Sequence, residues 1–174
     1  MESKQHATIR KATPADLAAI NDIYNDAVVN TTATFQIEPL TIEERHAWLH
    51  EHPEHFYPAL VAEADTAILG WGSLSRYASR CAYRFTSEDS IYVSPDHRGK
   101  GIGALILRHL IAAARTLGHH SIVAQIADNN AASIRLHERF GFRTVGQLPE
   151  VGHKFGRWLD VTIMQKILTE EVRT

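Results

Sequence analysis

The stretch IYVSPDHRGKGIGALILRHL, residues 91–110, passes from a strand-like apolar run through a basic, glycine-rich turn into a helical pattern. The turn alternates cations and glycines, in the order Arg98, Gly99, Lys100, Gly101 and Gly103. Apolar residues then recur at helical spacing: Ile102, Leu105, Ile106, Leu110, Ala113 and Leu117. The unpaired N–H groups of a helix N-terminus attract anions, and glycines let a phosphate approach the backbone. The turn therefore predicts a diphosphate-binding site.

Two common diphosphate motifs fit this turn poorly. Gly99-x-Gly101-x-x-Ala104 matches the dinucleotide fingerprint, but that fingerprint needs an acidic residue about 20 positions further on. The first acidic residue after the turn is Asp128, which comes too late. A Walker loop requires Ser or Thr after its lysine, whereas Lys100 is followed by Gly101. The turn thus argues against a dinucleotide fold and excludes ordinary ATP or GTP hydrolysis.

Coenzyme A is the third diphosphate ligand to consider. RGKGIG at residues 98–103, after the strand SIYV, resembles the acyl-CoA motif of the GCN5-related N-acetyltransferases. NAASIRLHERFGF at residues 130–142 resembles the second signature of that superfamily. Four stretches, IYNDAVVNTTATF, TSEDSIYVSPDHRGKGIG, LHERFGF and GHKFGRWLDV, are similar to the phosphinothricin and methionine sulfoximine acetyltransferase branch. This similarity runs from about residue 9 to residue 168, nearly the whole chain.

The rest of the chain alternates strand and helix patterns without an internal repeat or an obvious linker. Strands are predicted at residues 7–12, 57–64, 67–77, 86–93, 120–127, 142–148 and 158–167. Helices are predicted at residues 13–30, 41–52, 101–117 and 129–140. We expect one α/β (α+β) domain over residues 1–174, with its core at about residues 9–168 and helices on both faces of a mixed sheet. The resemblance implies a mostly antiparallel sheet that splays at the acyl-CoA site.

Composition excludes several other classes of protein. A net charge of −2 without a long basic run argues against a nucleic-acid partner. No apolar run approaches the roughly 20 residues that span a bilayer, and MESKQHATIR lacks the apolar core of a secretory signal. The single Cys81 cannot form an internal disulfide. We therefore expect a soluble cytoplasmic protein with no membrane partner.

The 11 histidines raise the question of a metal site. His46 and His50 share a predicted helix face, with His52 and His55 nearby. Neither an HExxH pattern nor an adjacent group of carboxylates accompanies them, and one cysteine cannot supply a multi-cysteine zinc site. We expect surface histidines and no metal.

The resemblance implies acetyl-CoA as co-substrate, with pantetheine along the backbone of the SIYV strand and the diphosphate on the turn. Asn130 and Ser133 can cap a helix and also bond to the cofactor. The residues expected to contact acetyl-CoA are Ile91, Tyr92, Val93, Arg98, Gly99, Lys100, Gly101, Ile102, Gly103, Ala104, Asn130 and Ser133.

Two side chains are candidates for proton transfer. Glu88 shares one side of its strand with Ser90 and Tyr92, because successive residues point to opposite faces. It is the candidate base, directly or through water, although a solvated strand-end carboxylate would look the same in sequence. His137 occupies the position where many relatives carry a tyrosine that protonates the CoA thiolate.

An amino-acid acceptor carries a carboxylate, which arginine grips bidentately. Arg76 and Arg84 flank the segment that enters the Glu88 strand, with Tyr77 or Phe85 as an apolar wall. Because Arg80 lies between them, the sequence leaves open which of the three arginines binds the carboxylate. The resemblance also implies a homodimer in which residues 148–160 approach the partner's active site together with the NTTATF loop. Lys154 and Phe155 are therefore further acceptor-binding candidates.

These residues predict an acetyl-CoA-dependent N-acetyltransferase acting on the α-amine of a small amino acid or analogue, such as methionine sulfoximine or phosphinothricin. Two alternatives stay open. The acceptor could be another amine, such as an ordinary amino acid, a polyamine or a peptide N-terminus. The chain could also be an acyl-CoA-binding module without turnover. Glu88 and His137 together favour the enzyme.

Overall fold

A computed structural model describes residues 7–168, which form a seven-stranded sheet in the order β1-β2-β3-β4-β5-β7-β6. Its strands are β1 Thr8–Lys11, β2 Ala59–Ala64, β3 Ala67–Arg76, β4 Thr86–Val93, β5 Ser121–Ala127, β6 Arg143–Lys154 and β7 Arg157–Ile167. Neighbouring strands are antiparallel except β4 and β5, which are parallel. The predicted mixed, mostly antiparallel sheet is confirmed. Residues 1–6, where no signal segment was expected, and residues 169–174 lie outside the described residues.

Helices cover both faces of this sheet, as predicted: α1 Leu17–Asn30, α2 Ile42–His50, α3 Ile102–Thr116 and α4 Ala131–Arg139. On one face, Leu17, Ile20 and Ile23 of α1 pack on Trp71, with Trp48 of α2 at the edge of this cluster. On the other face, α3 forms the larger core with strand residues and with side chains of α4. The alternation of side chains along each strand thus divides the core into two layers.

Local sequence signals set the helix starts. Thr13 and Asp16 form a capping box around a short 3-10 turn before α1, and Thr41 with Glu44 does the same for α2. Asn130 caps α4 by accepting a hydrogen bond from the Ser133 N–H at 3.1 Å. These caps fix where the elements that carry the site begin.

The inward face of α3 differs from the predicted one. Leu105, Ala113 and Leu117 are only partly buried, whereas Leu107, Ile111 and Ala114 are buried. Because apolar residues cover a wide face of α3, several faces are compatible with the sequence pattern. The face that packs on the sheet is rotated around the helix axis relative to the predicted one. The N-terminus still lies at the glycine-rich turn.

The segment between the closing strands is itself mostly strand. We expected strands at residues 142–148 and 158–167 with a loop between them, but β6 continues to Lys154 and β7 begins at Arg157. Register shifts before Gly146 and Gly152 accommodate the extra residues of β6. The two closing strands therefore form one long β6–β7 hairpin, in which β6 is the edge strand of the sheet.

Strands β4 and β5 separate part of the way along. Their pairing covers residues 86–88 only, opposite residues 121–123. Beyond this point β4 stays paired with β3 as far as Val93, and β5 stays paired with β7 as far as Ala127. The facing edges of β4 and β5 are thus left open, which is the predicted splay of the sheet.

Candidate active site

A cleft of about 790 Å³ opens where β4 and β5 diverge. Its walls come from residues 88–93, residues 124–127, the turn before α3, one side of α4 and the 31–35 loop that follows α1. Twelve predicted site residues line it: Glu88, Ile91, Tyr92, Val93, Arg98, Gly99, Gly101, Gly103, Ala104, Asn130, Ser133 and His137. The structure thus brings the proposed cofactor and proton-transfer residues together around one space.

The turn at residues 98–103, which we call the cradle, leads from β4 into the N-terminus of α3. Gly99 and Gly101 have φ angles of 74° and 86°, a region that favours glycine. Gly101 is the N-cap of α3 and supplies no side-chain cap, and a Cβ added to Gly101 or Gly99 would meet nothing within 4 Å among the described residues. The cradle therefore faces open space with the positive end of α3, which fits the diphosphate of coenzyme A.

The charged and apolar neighbours of these glycines have different surroundings. Arg98 donates from Nη2 to Asp26 Oδ2 at 3.0 Å and from Nε to the Val93 carbonyl at 3.2 Å. Lys100 is exposed and Ile102 is buried in the core, and neither lines the cleft. The roles predicted for these two residues stay predictions, and for Ile102 only the backbone could contact a ligand.

The outer half of β4 presents its backbone to the cleft. Ile91 and Val93 pack against the α3 core, and Tyr92 stacks on Trp71 with ring centroids 4.9 Å apart. Burial raises the pKa of the Tyr92 phenol far above its ordinary value. With these side chains packed away, the open edge of β4 is the group that can pair with an extended amide-bearing arm such as pantetheine.

Glu88 lies at the last position of β4 that pairs with β5, where the cleft begins. Its Oε2 accepts a hydrogen bond from Gln125 Nε2 at 2.8 Å. Burial raises the pKa of Glu88, and the neighbouring Asp89 charge raises it further against the opposing effect of Gln125. A carboxylate with a raised pKa is better matched to accepting a proton near neutral pH.

His137 lines the cleft but both of its ring nitrogens are engaged. Nε2 lies 3.0 Å from Asp89 Oδ2, and Nδ1 lies 2.8 Å from the Ser133 carbonyl oxygen. Burial alone would lower the pKa of His137, but the Asp89 carboxylate and the Ser133 carbonyl outweigh it and raise the pKa. The sequence analysis did not single out Asp89 as a site residue, although Asp89 lies between Glu88 and Ser90 on the same predicted strand.

The residues predicted to bind the acceptor carboxylate lie outside the cleft lining. Arg76 ends β3, and Tyr77 packs edge-on against Tyr83 in the following segment. Arg84 stacks over Phe85, 4.3 Å from its ring centroid. The single chain brings none of Arg76, Tyr77 and Arg84 into the cleft, and their acceptor role stays a prediction.

The 31–35 loop forms the wall opposite Glu88 and is held by the β6–β7 hairpin. Lys154 is 3% exposed and donates from Nζ to the Thr34 carbonyl at 2.9 Å. A Cβ on Gly152 would lie 2.3 Å from the Phe35 ring, so a larger residue here would displace Phe35 from the hairpin. Phe155, at the hairpin turn, is 57% exposed. Within one chain Lys154 thus bonds to the 31–35 loop, a contact that the sequence did not indicate, and the acceptor-binding roles of Lys154 and Phe155 stay predictions.

Other lining residues were also missing from the sequence analysis. The hairpin contributes Leu148, Val151 and Val161, and β5 contributes Gln125. Only the quoted similarity of residues 30–35 hinted at the loop. Apolar residues on a predicted strand carry no signal that separates a cleft wall from an ordinary core.

The histidines around α2 do not form a metal site. Within residues 7–168, no group of three or more His, Cys, Asp or Glu side chains is placed to hold a metal ion. His46, His50 and His55 are exposed, but His52 is buried, with Nδ1 2.6 Å from the Trp48 carbonyl and Nε2 2.9 Å from Ser75 Oγ. The expectation of a surface residue was thus wrong for His52. None of the described helices has the length and apolarity required to cross a bilayer.

Comparison with known proteins agrees with this geometry. A family model described as the Acetyltransferase (GNAT) family matches residues 20–142. An L-methionine sulfoximine/L-methionine sulfone acetyltransferase of Salmonella typhimurium is 46% identical over 163 residues, which are 94% of this chain and 95% of the relative. A phosphinothricin N-acetyltransferase of Streptomyces coelicolor is 40% identical over 171 residues, which are 97% of this chain and 100% of the relative.

A solved structure of a Salmonella typhimurium acetyltransferase with acetyl-CoA superposes with a TM-score of 0.91. It is 44% identical, and the match covers 97% of this chain and 98% of that one. Sequence, fold and cleft therefore agree that this chain belongs to the GNAT family of acetyltransferases.

Proposed function

We propose that this protein is an acetyl-CoA-dependent N-acetyltransferase for the α-amine of a small amino acid or analogue, of the methionine sulfoximine or phosphinothricin type. One observation carries the proposal: a single cleft is lined both by the anion cradle and by the half-buried carboxylate Glu88, whose pKa is raised by desolvation. The relatives named for these two acceptors cover nearly the whole chain.

The chain's residues divide the work along this cleft. The cradle N–H groups hold the diphosphate, and the open edge of β4 aligns the pantetheine arm. Acetyl-CoA supplies an acetyl thioester, whose carbon bonds to the acceptor nitrogen as the carbon–sulfur bond breaks. Glu88, directly or through water, accepts the proton that the amine nitrogen loses. A proton returns to the sulfur, so that atoms and charge balance.

The position of Glu88 favours an enzyme over an acyl-CoA-binding module. A binding module gains nothing from burying a carboxylate, since desolvating a charge costs free energy. Glu88 is held by Gln125 at the point where β4 and β5 separate, beside the free strand edges. Buried ionisable groups in clefts are characteristic of sites that transfer protons.

A thiol-release assay with acetyl-CoA and a panel of amines tests the proposal. We expect release with methionine sulfoximine and phosphinothricin, and little with a polyamine or a peptide N-terminus. Preference for either of the latter would move the chain to another acceptor class. Tight acetyl-CoA binding without release for any amine would identify a binding module instead.

We further propose a cytoplasmic homodimer, with residues 1–174 as one domain. Several apolar side chains on the β6–β7 hairpin are exposed, including Phe155 at 57% and Trp158 at 62%. An exposed apolar cluster on an edge hairpin suits a self-complementary interface. In the single chain the predicted arginines do not line the cleft, so its acceptor end has room for residues of a second copy.

Sedimentation equilibrium and the variant Phe155→Asp test the dimer. We expect the wild type to sediment as a dimer, and Phe155→Asp to raise the acceptor KM while acetyl-CoA affinity stays unchanged. Val29→Asp, at a similarly exposed apolar residue on α1, is the matched control. A fully active wild-type monomer at assay concentration would contradict the proposal.

A further inference from the structure

Helix α4 is attached to the sheet in an unusual way. Of its residues, all of which the structure describes, only His137 is buried. Ile134 and Leu136 are partly buried at its edges. A short helix is normally held by a buried apolar stripe, because isolated helices of this length are marginal in water. His137 therefore supplies the most deeply buried contact of α4, beside the partly buried apolar contacts that Ile134 and Leu136 make with the core.

That side chain is bonded at both ends. His137 is 4% exposed, and its partner Asp89 is 8% exposed. Nε2 faces Asp89 Oδ2 and Nδ1 faces the carbonyl oxygen of Ser133, and both partner atoms accept hydrogen bonds. Both contacts are hydrogen bonds when both ring nitrogens carry hydrogen, as in an imidazolium, whereas a neutral ring would have to accept at Nδ1 from the Ser133 hydroxyl, whose Oγ lies 3.5 Å away. The imidazolium has no N–H left to direct at a sulfur atom.

The pair lies at the branch point of the sheet. The β4–β5 pairing ends at Glu88, and Asp89 is the next residue of β4. His137 reaches from α4 to this residue, and both side chains line the cleft. Asp89 thus connects the strand that carries Glu88 to the helix that carries Asn130 and Ser133.

We propose that Asp89 and His137 form an ion-paired anchor that positions α4 and the open edge of β4 around acetyl-CoA, in place of the proton-donor role predicted for His137. The inference rests on the acetyl-CoA-dependent activity proposed above. Both are positioning residues: they fix the width of the cleft between its two cofactor-binding walls. The sulfur then takes its proton from water or from the acceptor side.

A buried ion pair gives a distinctive response to substitution. Any neutral residue at position 137 leaves the buried Asp89 charge uncompensated and costs stability. A neutral side chain that still donates a hydrogen bond to Asp89 keeps α4 and β4 joined, so the geometry of the cleft is retained. Asp89 Oδ1 already has no partner within the described chain. Loss of the Nε2 bond would therefore leave the whole Asp89 carboxylate unsatisfied.

Two amide substitutions at His137 separate the roles. In His137→Gln the amide nitrogen is as many bonds from Cα as Nε2, so it can donate to Asp89. In His137→Asn it corresponds to Nδ1 and can reach only the Ser133 carbonyl. Neither amide can give up a proton. We expect His137→Gln to keep kcat and the acetyl-CoA KM within a few-fold of wild type, and His137→Asn to raise that KM about tenfold.

The opposite result is equally clear. If both variants lose about a hundredfold in kcat with an unchanged acetyl-CoA KM, His137 donates a proton and the anchor proposal is wrong. If both behave as wild type, neither role is needed and the proposal also fails. Should His137→Asn not fold, the affinity of His137→Gln for acetyl-CoA by calorimetry decides alone, since it must match the wild type.

A ring ¹⁵N NMR spectrum of the wild type tests the bonding without a variant. We expect both nitrogens of His137 to carry hydrogen at neutral pH, and a bare nitrogen would overturn the proposal. This experiment needs no turnover. An inactive wild type would therefore count against the proposed function. The spectrum and the calorimetry would still test whether Asp89 and His137 form the anchor.

Discussion

The two ends of the cleft are built in different ways. At the cofactor end, residues 91–104 form one continuous run of strand, cradle and helix start, and we expect backbone groups to bind the cofactor there. At the acceptor end, the 31–35 loop, Glu88 and the β6–β7 hairpin meet from distant parts of the chain. Lys154 and Thr34, which share a hydrogen bond, are 120 positions apart. A site made of contiguous backbone leaves a motif in the sequence, and a site made of long-range side-chain contacts does not.

The largest effect should come from breaking the cofactor end alone. Gly101→Val puts a β-branched side chain at a φ of 86° and over the open cradle. We expect acetyl-CoA affinity to fall by about a hundredfold or more, since the N–H groups become inaccessible. Calorimetry measures this directly. Gly118→Val is the control, because Gly118 has a φ of 79° and equally open surroundings after α3; equal affinities for the two variants would refute the cradle.

Glu88→Gln tests the boundary between the two ends. We expect kcat to drop by about a hundredfold while acetyl-CoA still binds, because the general base is lost. Wild-type kcat should also fall as the pH is lowered through the raised pKa of Glu88, and the variant should lose that dependence. Steady-state kinetics over pH provides both measurements. Glu138→Gln, at an exposed carboxylate of α4, is the control and should change neither kcat nor its dependence on pH. If Glu88→Gln turned over at the wild-type rate, Glu88 would be a solvated carboxylate and not the base.

Lys154→Met breaks the acceptor end alone. Without the Nζ bond to the Thr34 carbonyl, the 31–35 loop loses a tether to the hairpin. We expect the acceptor KM to rise about tenfold and the acetyl-CoA KM to stay constant. Lys11→Met, on β1, is the control. Sedimentation of Lys154→Met shows whether this variant remains a dimer. An equal rise in both KM values would contradict the separation of the two ends.

The smallest effect concerns stability at the junction between the ends. The folded pKa of His137 lies above its ordinary 6.5. Below that value His137 is charged in both folded and unfolded chains, and the ion pair contributes fully. As the pH rises above it, unfolded chains lose the proton first, so stability falls until the folded pKa is passed. Urea denaturation between about pH 6 and about pH 9 should show this decline in the wild type and not in His137→Gln.

The same contrast explains how much could be predicted from the sequence. The strands and helices could be predicted from periodicity and capping residues, and the cofactor end from the glycines of the cradle. Each of these signals comes from residues that are close together in the sequence. The burial of Lys154 and its bond to Thr34 could not be predicted, since nothing near Lys154 in the sequence distinguishes it from a solvated loop lysine. Asp89 was missed because an acidic residue on a strand is normally exposed, and only the partner on α4 makes its burial possible.

One contact joins the two ends despite these differences. Arg98 in the cradle bonds to Asp26 on α1, and α1 leads directly into the 31–35 loop. If Arg98 binds the diphosphate as predicted, the diphosphate would compete with Asp26 for the guanidinium, and cofactor binding would act on the helix that leads into the 31–35 loop. Linkage requires the influence to run equally in the other direction. A change at Arg98 would therefore alter the coupling between the two binding sites as well as the affinity for the cofactor.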